Sequence, residues 1–220
     1  MNNKFIKELI KRNVPSILIN FARNIRHSAK LRVSKRHINY LIKERKTIYS
    51  EIGAGNKKGK NGWITLDLTP DCDIYWDLNK GLPFPDKSIY KIYSSHVFEH
   101  FTFKEGQKLL DECLRVLVKD GIFSICVPNA KIYIEAYLNS DCLYENPFFD
   151  YKPAYNNTSR IDYVNYTAYM DGHHKYMFDE ENLIVILERK GFRNVRLRNF
   201  DPNLDLKARN YGSIYAEAQK

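Results

Sequence analysis

Two glycines and two aspartates are the first residues in this chain whose types and spacing suggest chemistry. Gly53 and Gly55, within Glu51-Ile52-Gly53-Ala54-Gly55, let the backbone come close to a ligand at what reads as the first strand-to-helix turn, and free N–H groups there favour a carboxylate or phosphate. Asp67 ends the next apolar segment, where a carboxylate can accept both hydroxyls of a ribose. Asp77, followed by Leu78, ends the third, where a carboxylate can accept from an adenine amino group. The spacing is not the dinucleotide fingerprint: the third glycine would fall at position 58, where Lys58 stands, and Gly59 comes one residue late.

The six histidines form the second group. His27 and His37 lie near the N-terminus, His96 and His100 flank Val97-Phe98-Glu99, and His173-His174 precede Lys175. His100 reads as a structural hydrogen-bonding residue. No metal is expected at His173-His174, because no carboxylate or cysteine stands beside them at ligand spacing.

These residues need a scaffold of strands and helices. Short apolar segments at 48–52, 64–68, 73–76, 89–94 and 122–127 read as strands, and 195–200 and 213–218 alternate as two more. A helix opens at the capping box of Thr102 and Glu105 and is expected to end at Asp120-Gly121. Another runs from about Asp179 to Lys190 and stops at Gly191. Strands alternating with helices predict an α/β fold with a parallel sheet, helices on both faces and ligands at the carboxyl ends of the strands.

The charge is unevenly placed. Of 220 residues, 35 are basic and 26 acidic, but residues 1–47 hold 13 basic and two acidic residues, while the remaining 173 hold 22 and 24. Apolar residues at 5, 6, 9 and 10, and again at 17, 18, 21, 22 and 25, recur at helical spacing on either side of Pro15. Residues 1–47 therefore read as a basic amphipathic helical extension before a domain spanning 48–220. Residues 1–45 could contact an anionic membrane, pack on the domain, or touch RNA. No apolar run reaches the ~20 residues of a membrane span. Cys72, Cys113, Cys126 and Cys142 lack C-x-x-C spacing and read as buried thiols, which suits a reducing cytoplasm. Residues 129–178 are too long for a simple crossover and hold twelve Tyr and Phe residues, so they read as an acceptor-binding insertion or a small subdomain with its own core.

Five ordered motifs carry a resemblance. Glu51-Ile-Gly-Ala-Gly55, Gly62-Trp-Ile-Thr-Leu-Asp67, Asp77-Leu-Asn-Lys-Gly-Leu-Pro-Phe84, Ser95-His-Val-Phe-Glu-His100 and Leu114-Arg-Val-Leu-Val-Lys-Asp-Gly121 resemble those of class I S-adenosylmethionine-dependent methyltransferases. The resemblance is greatest to small bacterial methyltransferases of surface-polysaccharide gene clusters. It implies a Rossmann-like seven-stranded, mostly parallel sheet with an antiparallel last strand, and S-adenosyl-L-methionine as cofactor. It assigns Glu51, Gly53, Ala54 and Gly55 to the methionine end, Asp67 and Leu68 to the ribose, Asp77 and Leu78 to the adenine, and Ser94 and His96 to the methyl-transfer pocket. Lys57 and Lys91 depart from the family pattern, at positions not expected to touch the ligand.

The resulting expectation is a cytoplasmic enzyme that O-methylates a sugar or activated glycan precursor in cell-surface polysaccharide biosynthesis. Removal of the hydroxyl proton falls to His174, with His173 beside it and His96 in reserve. The rival readings are an RNA or other small-molecule methyltransferase and a non-catalytic cofactor-binding partner. Nucleic acid is disfavoured, because Ser94-Ser-His-Val97 stands where base N-methyltransferases carry Asn/Asp-Pro-Pro-Tyr/Phe.

Overall fold

A computed structural model describes residues 16–44, 46–139 and 158–220. Seven strands form one sheet: β1 (Tyr49–Ile52), β2 (Trp63–Asp67), β3 (Ile74–Tyr75), β4 (Ile89–Ser95), β5 (Leu117–Pro128), β6 (Arg193–Leu197) and β7 (Ser213–Gln219). Their spatial order is β3-β2-β1-β4-β5-β7-β6, with β7 antiparallel to both neighbours and the β1 to β5 pairings parallel. The helices are α1 (Ser16–Lys43), α2 (Phe103–Val116), α3 (Ala130–Asn139), α4 (Ile161–Tyr169) and α5 (Glu180–Lys190).

Because side chains alternate along a strand, the cross-strand register sorts the sheet into two chemically different faces. Leu66, Ile52, Ser94, Ile125 and Ala216 lie side by side in one row. This row lies in the main core, with Leu109, Leu110 and Cys113 of α2, Leu183 and Leu187 of α5, and Phe123 stacked on Phe192. The adjacent row on the other face is Thr65, Glu51, Tyr93, Ser124 and Glu217. The connection between β6 and β7 closes over part of this polar face: Tyr93 Oη donates to Asp205 (2.8 Å), and Arg198 grips the same carboxylate through two nitrogens (2.6 and 2.8 Å) while donating to Ser124.

The long helix α1 starts directly after Pro15. Ser34, Ile38 and Leu41 bury one stripe of its second half, and Ser34 Oγ accepts the N–H of Tyr75 (2.8 Å) on edge strand β3. Its first half is exposed, including Leu18, Phe21 and Ile25. The other expected helix, over 5–10, lies outside the described residues, as do 140–157 of the insertion. What is described of the insertion, α3 and α4, packs a small second core of Tyr133, Ala136 and Tyr163.

Two local expectations are corrected. First, α2 opens on its capping box, with Thr102 and Glu105 each bonded to the other's backbone N–H, but ends at Val116 rather than Asp120-Gly121. Arg115 ties the last turn to Glu112, Asp86 and the Leu82 and Phe84 carbonyls, and Leu117 is already extended. Asp120, at φ +61°, instead lies in a bulge of β5, where the register jumps from Leu117 to Ile122. Second, no helix follows the glycine turn. Residues 53–62 run as a loop, held by the Asp73 carboxylate, which accepts from the Gly59 and Thr65 N–H groups and the Thr65 hydroxyl.

Asp205→Ala would leave Arg198 and Tyr93 without their buried partner, so it should lower unfolding free energy in urea by about 3–5 kcal/mol. The exposed Asp120–Arg193 pair should cost under about 1 kcal/mol when broken. Equal losses would refute this account of the β6–β7 connection.

Candidate active site

The carboxyl ends of β1, β2 and β4 and the turn after β3 enclose a cleft of about 300 Å³. It is lined by Gly53, Asp67, Leu68, Asp77, Leu78 and His96, joined by Trp76, Asn79, Val97, His100 and Phe101. The structure thus brings six of the ten expected cofactor residues to one surface. Gly53, at φ +68°, has no room for a side chain, since a Cβ there would lie 2.2 Å from Val97 Cγ2. Asp67 accepts the N–H of Gly55 (2.9 Å) on one oxygen and that of Thr69 (3.0 Å) on the other. Each oxygen keeps a lone pair for a ligand hydroxyl, so the same carboxylate shapes the turn and can bind. Asp77 caps the short turn Leu78–Lys80 through the Asn79 N–H (3.0 Å).

Four expected cofactor residues do not line this cleft. Ser94 is fully buried on the apolar face between Ile52 and Ile125, because strand alternation turns its side chain into the core. Glu51 lies on the polar face, paired with Lys57 (2.7 Å), and lines a separate cavity of about 600 Å³ with Lys57, Lys58, Lys60 and Trp63. Ala54 is buried, and Gly55 contributes through its bond to Asp67.

A second cleft, of about 280 Å³, opens between the insertion and the β6–β7 connection. Tyr133, Tyr166, Thr167, Met170, His174, Leu206 and Arg209 line it, and so does His96. Among the described residues, His96 alone lines both clefts. It sits at φ +54° just after β4, its N–H bonded to the Cys126 carbonyl (2.9 Å). Burial, followed by the positive charge of Arg209, pushes its pKa down to about 3, so the ring is neutral. The Ser213 hydroxyl gives its one hydrogen to the Arg209 carbonyl, and His96 Nε2 therefore donates to Ser213 Oγ (2.8 Å) and leaves Nδ1 with a free lone pair.

His173 is exposed and lines neither cleft; its carbonyl accepts from His100 Nδ1 (3.0 Å). His174 is buried, donates Nδ1–H to the Thr167 carbonyl (2.9 Å), and has its pKa lowered by burial. Lys175 stands 3.8 Å from Glu105. Sequence reasoning missed Arg209, Thr167 and Glu99. Glu99 is 2 % exposed and sits between His96 and His100, and burial pushes its pKa up to about 8. A carboxylate set between Val97-Phe98 and Phe101 was the signal available for it.

The strand order, the glycine turn ending β1 and the aspartates ending β2 and following β3 define the class I methyltransferase arrangement. A family model described as "Methyltransferase domain" matches residues 72–125, about a quarter of the chain. Those residues carry a methyltransferase domain, which supports reading the chain as an S-adenosylmethionine-dependent methyltransferase. Its cleft fits the cofactor, with two carboxylates to accept hydroxyl and amino hydrogens, apolar Leu68, Leu78 and Phe101, and a glycine backbone.

No curated protein matches the chain. Solved structures with a similar fold include an S-adenosylmethionine-dependent methyltransferase from Archaeoglobus fulgidus (18 % identity, 84 % of this chain and 92 % of that one, TM-score 0.49). Phosphoethanolamine N-methyltransferase 2 from Haemonchus contortus is another (12 %, 79 % and 48 %, 0.48), as is a methyltransferase from Mesorhizobium loti (16 %, 78 % and 90 %, 0.47).

S-adenosylhomocysteine should raise the melting temperature, as a ligand selective for the folded state must. Asp67→Ala should weaken its binding about 10- to 100-fold by removing a charged acceptor. Calorimetric titration that finds equal affinity for variant and wild type would remove Asp67 from the cofactor site.

Proposed function

We propose that this methyltransferase acts on a hydroxyl of a sugar or of an activated, phosphate-bearing glycan precursor held in the second cleft. The observation that carries the reading is the shared position of His96, where the two clefts meet. Tyr166, backed by the buried Tyr133, offers aromatic surface for a sugar ring, and Arg209 offers positive charge for a phosphate.

Bound in its cleft, S-adenosylmethionine supplies a methyl group on a positively charged sulfur. The protein's work is alignment and exclusion of water around an in-line displacement. His96, neutral and with Nδ1 free, takes the acceptor proton at that nitrogen. His174 lines the acceptor side of the same junction. A panel of nucleotide sugars, lipid-linked sugars, small alcohols and tRNA, assayed with labelled S-adenosylmethionine, tests the acceptor class. Turnover confined to tRNA would overturn the glycan reading, and none with any acceptor would favour a non-catalytic partner.

His96→Ala should lower turnover by about 10²- to 10⁴-fold with S-adenosylhomocysteine affinity nearly unchanged. His173→Ala should retain most activity. If His96→Ala keeps more than about a third of wild-type turnover, far above the loss of a missing base, the proton goes elsewhere.

The basic extension supports a second part of the reading, docking on an anionic membrane where lipid-linked glycans are assembled. Leu18, Phe21 and Ile25 are exposed on a helix that also carries Arg23 and Arg26. No helix among the described residues is long and apolar enough to cross a membrane. Binding to acidic vesicles should fall with added salt and be lost on deleting residues 1–26, which spares the buried Ser34, Ile38 and Leu41, while turnover of a soluble acceptor persists. Equal binding to neutral and acidic vesicles would exclude electrostatic docking.

A further inference from the structure

Glu99 presents an imbalance that hydrogen bonding does not resolve. Its carboxylate is buried, and neither oxygen has a hydrogen-bond partner among the described residues. A buried carboxyl without donors either keeps its proton or gives it up to a cation that takes its place beside the oxygens.

The imidazoles around it are poorly suited to donate. His100 Nδ1 and His174 Nδ1 each bond a backbone carbonyl, of His173 and Thr167, and a carbonyl has no hydrogen to give. Both Nδ1 atoms therefore carry the hydrogen, and in the neutral rings both Nε2 atoms are left as lone pairs. His100 Nε2 is 3.9 Å from Glu99 Oε1, and the free Nδ1 of His96 is 3.4 Å from that oxygen. One side-chain ligand atom from each of Glu99, His100 and His174 falls within 4.8 Å of the others. Bonds of about 2.1 Å to a common tetrahedral ion would set ligand atoms roughly 3.4 Å apart, which asks for side-chain shifts of about an ångström or less. A ligating histidine whose other nitrogen donates to a carbonyl is the usual supporting arrangement of metal sites.

The chain itself holds this group together. The Glu99 carbonyl accepts from the N–H of Lys175 (2.7 Å) and of Tyr176 (3.3 Å), which seats His174 beside the turn Phe98–His100.

We propose that Glu99, His100 and His174 form a site for a divalent transition cation of the zinc type, set between the cofactor cleft, which His100 lines, and the acceptor cleft, which His174 lines. Two imidazoles and one carboxylate suit such ions and leave a coordination position open. An acceptor hydroxyl on that position would lose its proton to His96 more readily, and this role alone rests on the hydroxyl-methylation reading.

The test uses the full, untagged chain stripped with a chelator and titrated with cobalt(II) chloride, followed by visible absorption and calorimetry. Binding of about one cobalt per chain, displaced by zinc(II), is expected. Glu99→Gln and His174→Ala should each weaken it at least about tenfold. His100→Ala, at a half-exposed side chain, serves as a further variant should those two fail to fold, and all variants are checked for folding by circular dichroism and by cooperative thermal unfolding without ligand. No cobalt or zinc binding by the wild-type chain, or binding that these substitutions leave unchanged, overturns the site. Metal binding by a chain that methylates no hydroxyl would leave the site standing and refute its role.

Discussion

The two hydrogen bonds accepted by the Glu99 carbonyl join the halves of this molecule. On one side lies the turn that follows β4, which belongs to the cofactor cleft. On the other lies the strand-like segment leaving the insertion, whose N–H groups of Lys175 and Tyr176 reach that carbonyl. Without this link His174 would belong to the insertion alone, and the second cleft would lose the wall that His174 gives it beside His96. The rings of His100 and His174 meet at 5.2 Å because their backbones are tied one residue away on either side.

The two faces of the sheet divide the remaining work. The apolar face is ordinary core, and its demand for apolar contact fixes the strand register. The polar face carries ionic groups that must be satisfied. The Arg198–Asp205 pair does this at Tyr93 and Ser124, and in doing so lays the β6–β7 connection across the sheet, so that Leu206, Ala208 and Arg209 come to line the second cleft. Shape at the acceptor side thus depends on a buried ion pair well away from it.

Strand positions were legible in the sequence because their signals are local: apolar runs bounded by glycine and aspartate place the strands near their observed spans except the start of β5, which begins five residues before the expected 122, and the Thr102–Glu105 box and Gly191 mark helix ends by chemistry confined to a few residues. The misread positions depend on information that is not local. Ser94 lies next to the site in sequence, but one step of strand alternation turns it into the core. Asp120-Gly121 has the composition of a helix end and serves instead as a bulge. Glu99 gains its meaning only when His174 is brought to it through the fold, and spacing along the chain could not reveal that partner.

The helix-free link between β1 and β2 has a kinetic consequence. In a strand-to-helix crossover, the backbone around a bound ligand is locked into a cooperative ladder. Here the Gly53–Gly62 segment is fastened by scattered bonds, from the Gly53 and Ala54 N–H groups to the Leu66 carbonyl, from the Gly55 and Gly59 N–H groups to Asp67 and Asp73, and from the Thr65 and Thr69 hydroxyls to the Lys57 and Gly55 carbonyls, most of which can break without unzipping any strand. Exchange of spent for fresh cofactor can therefore proceed by local opening of this segment, at a free-energy cost well below that of unfolding the sheet.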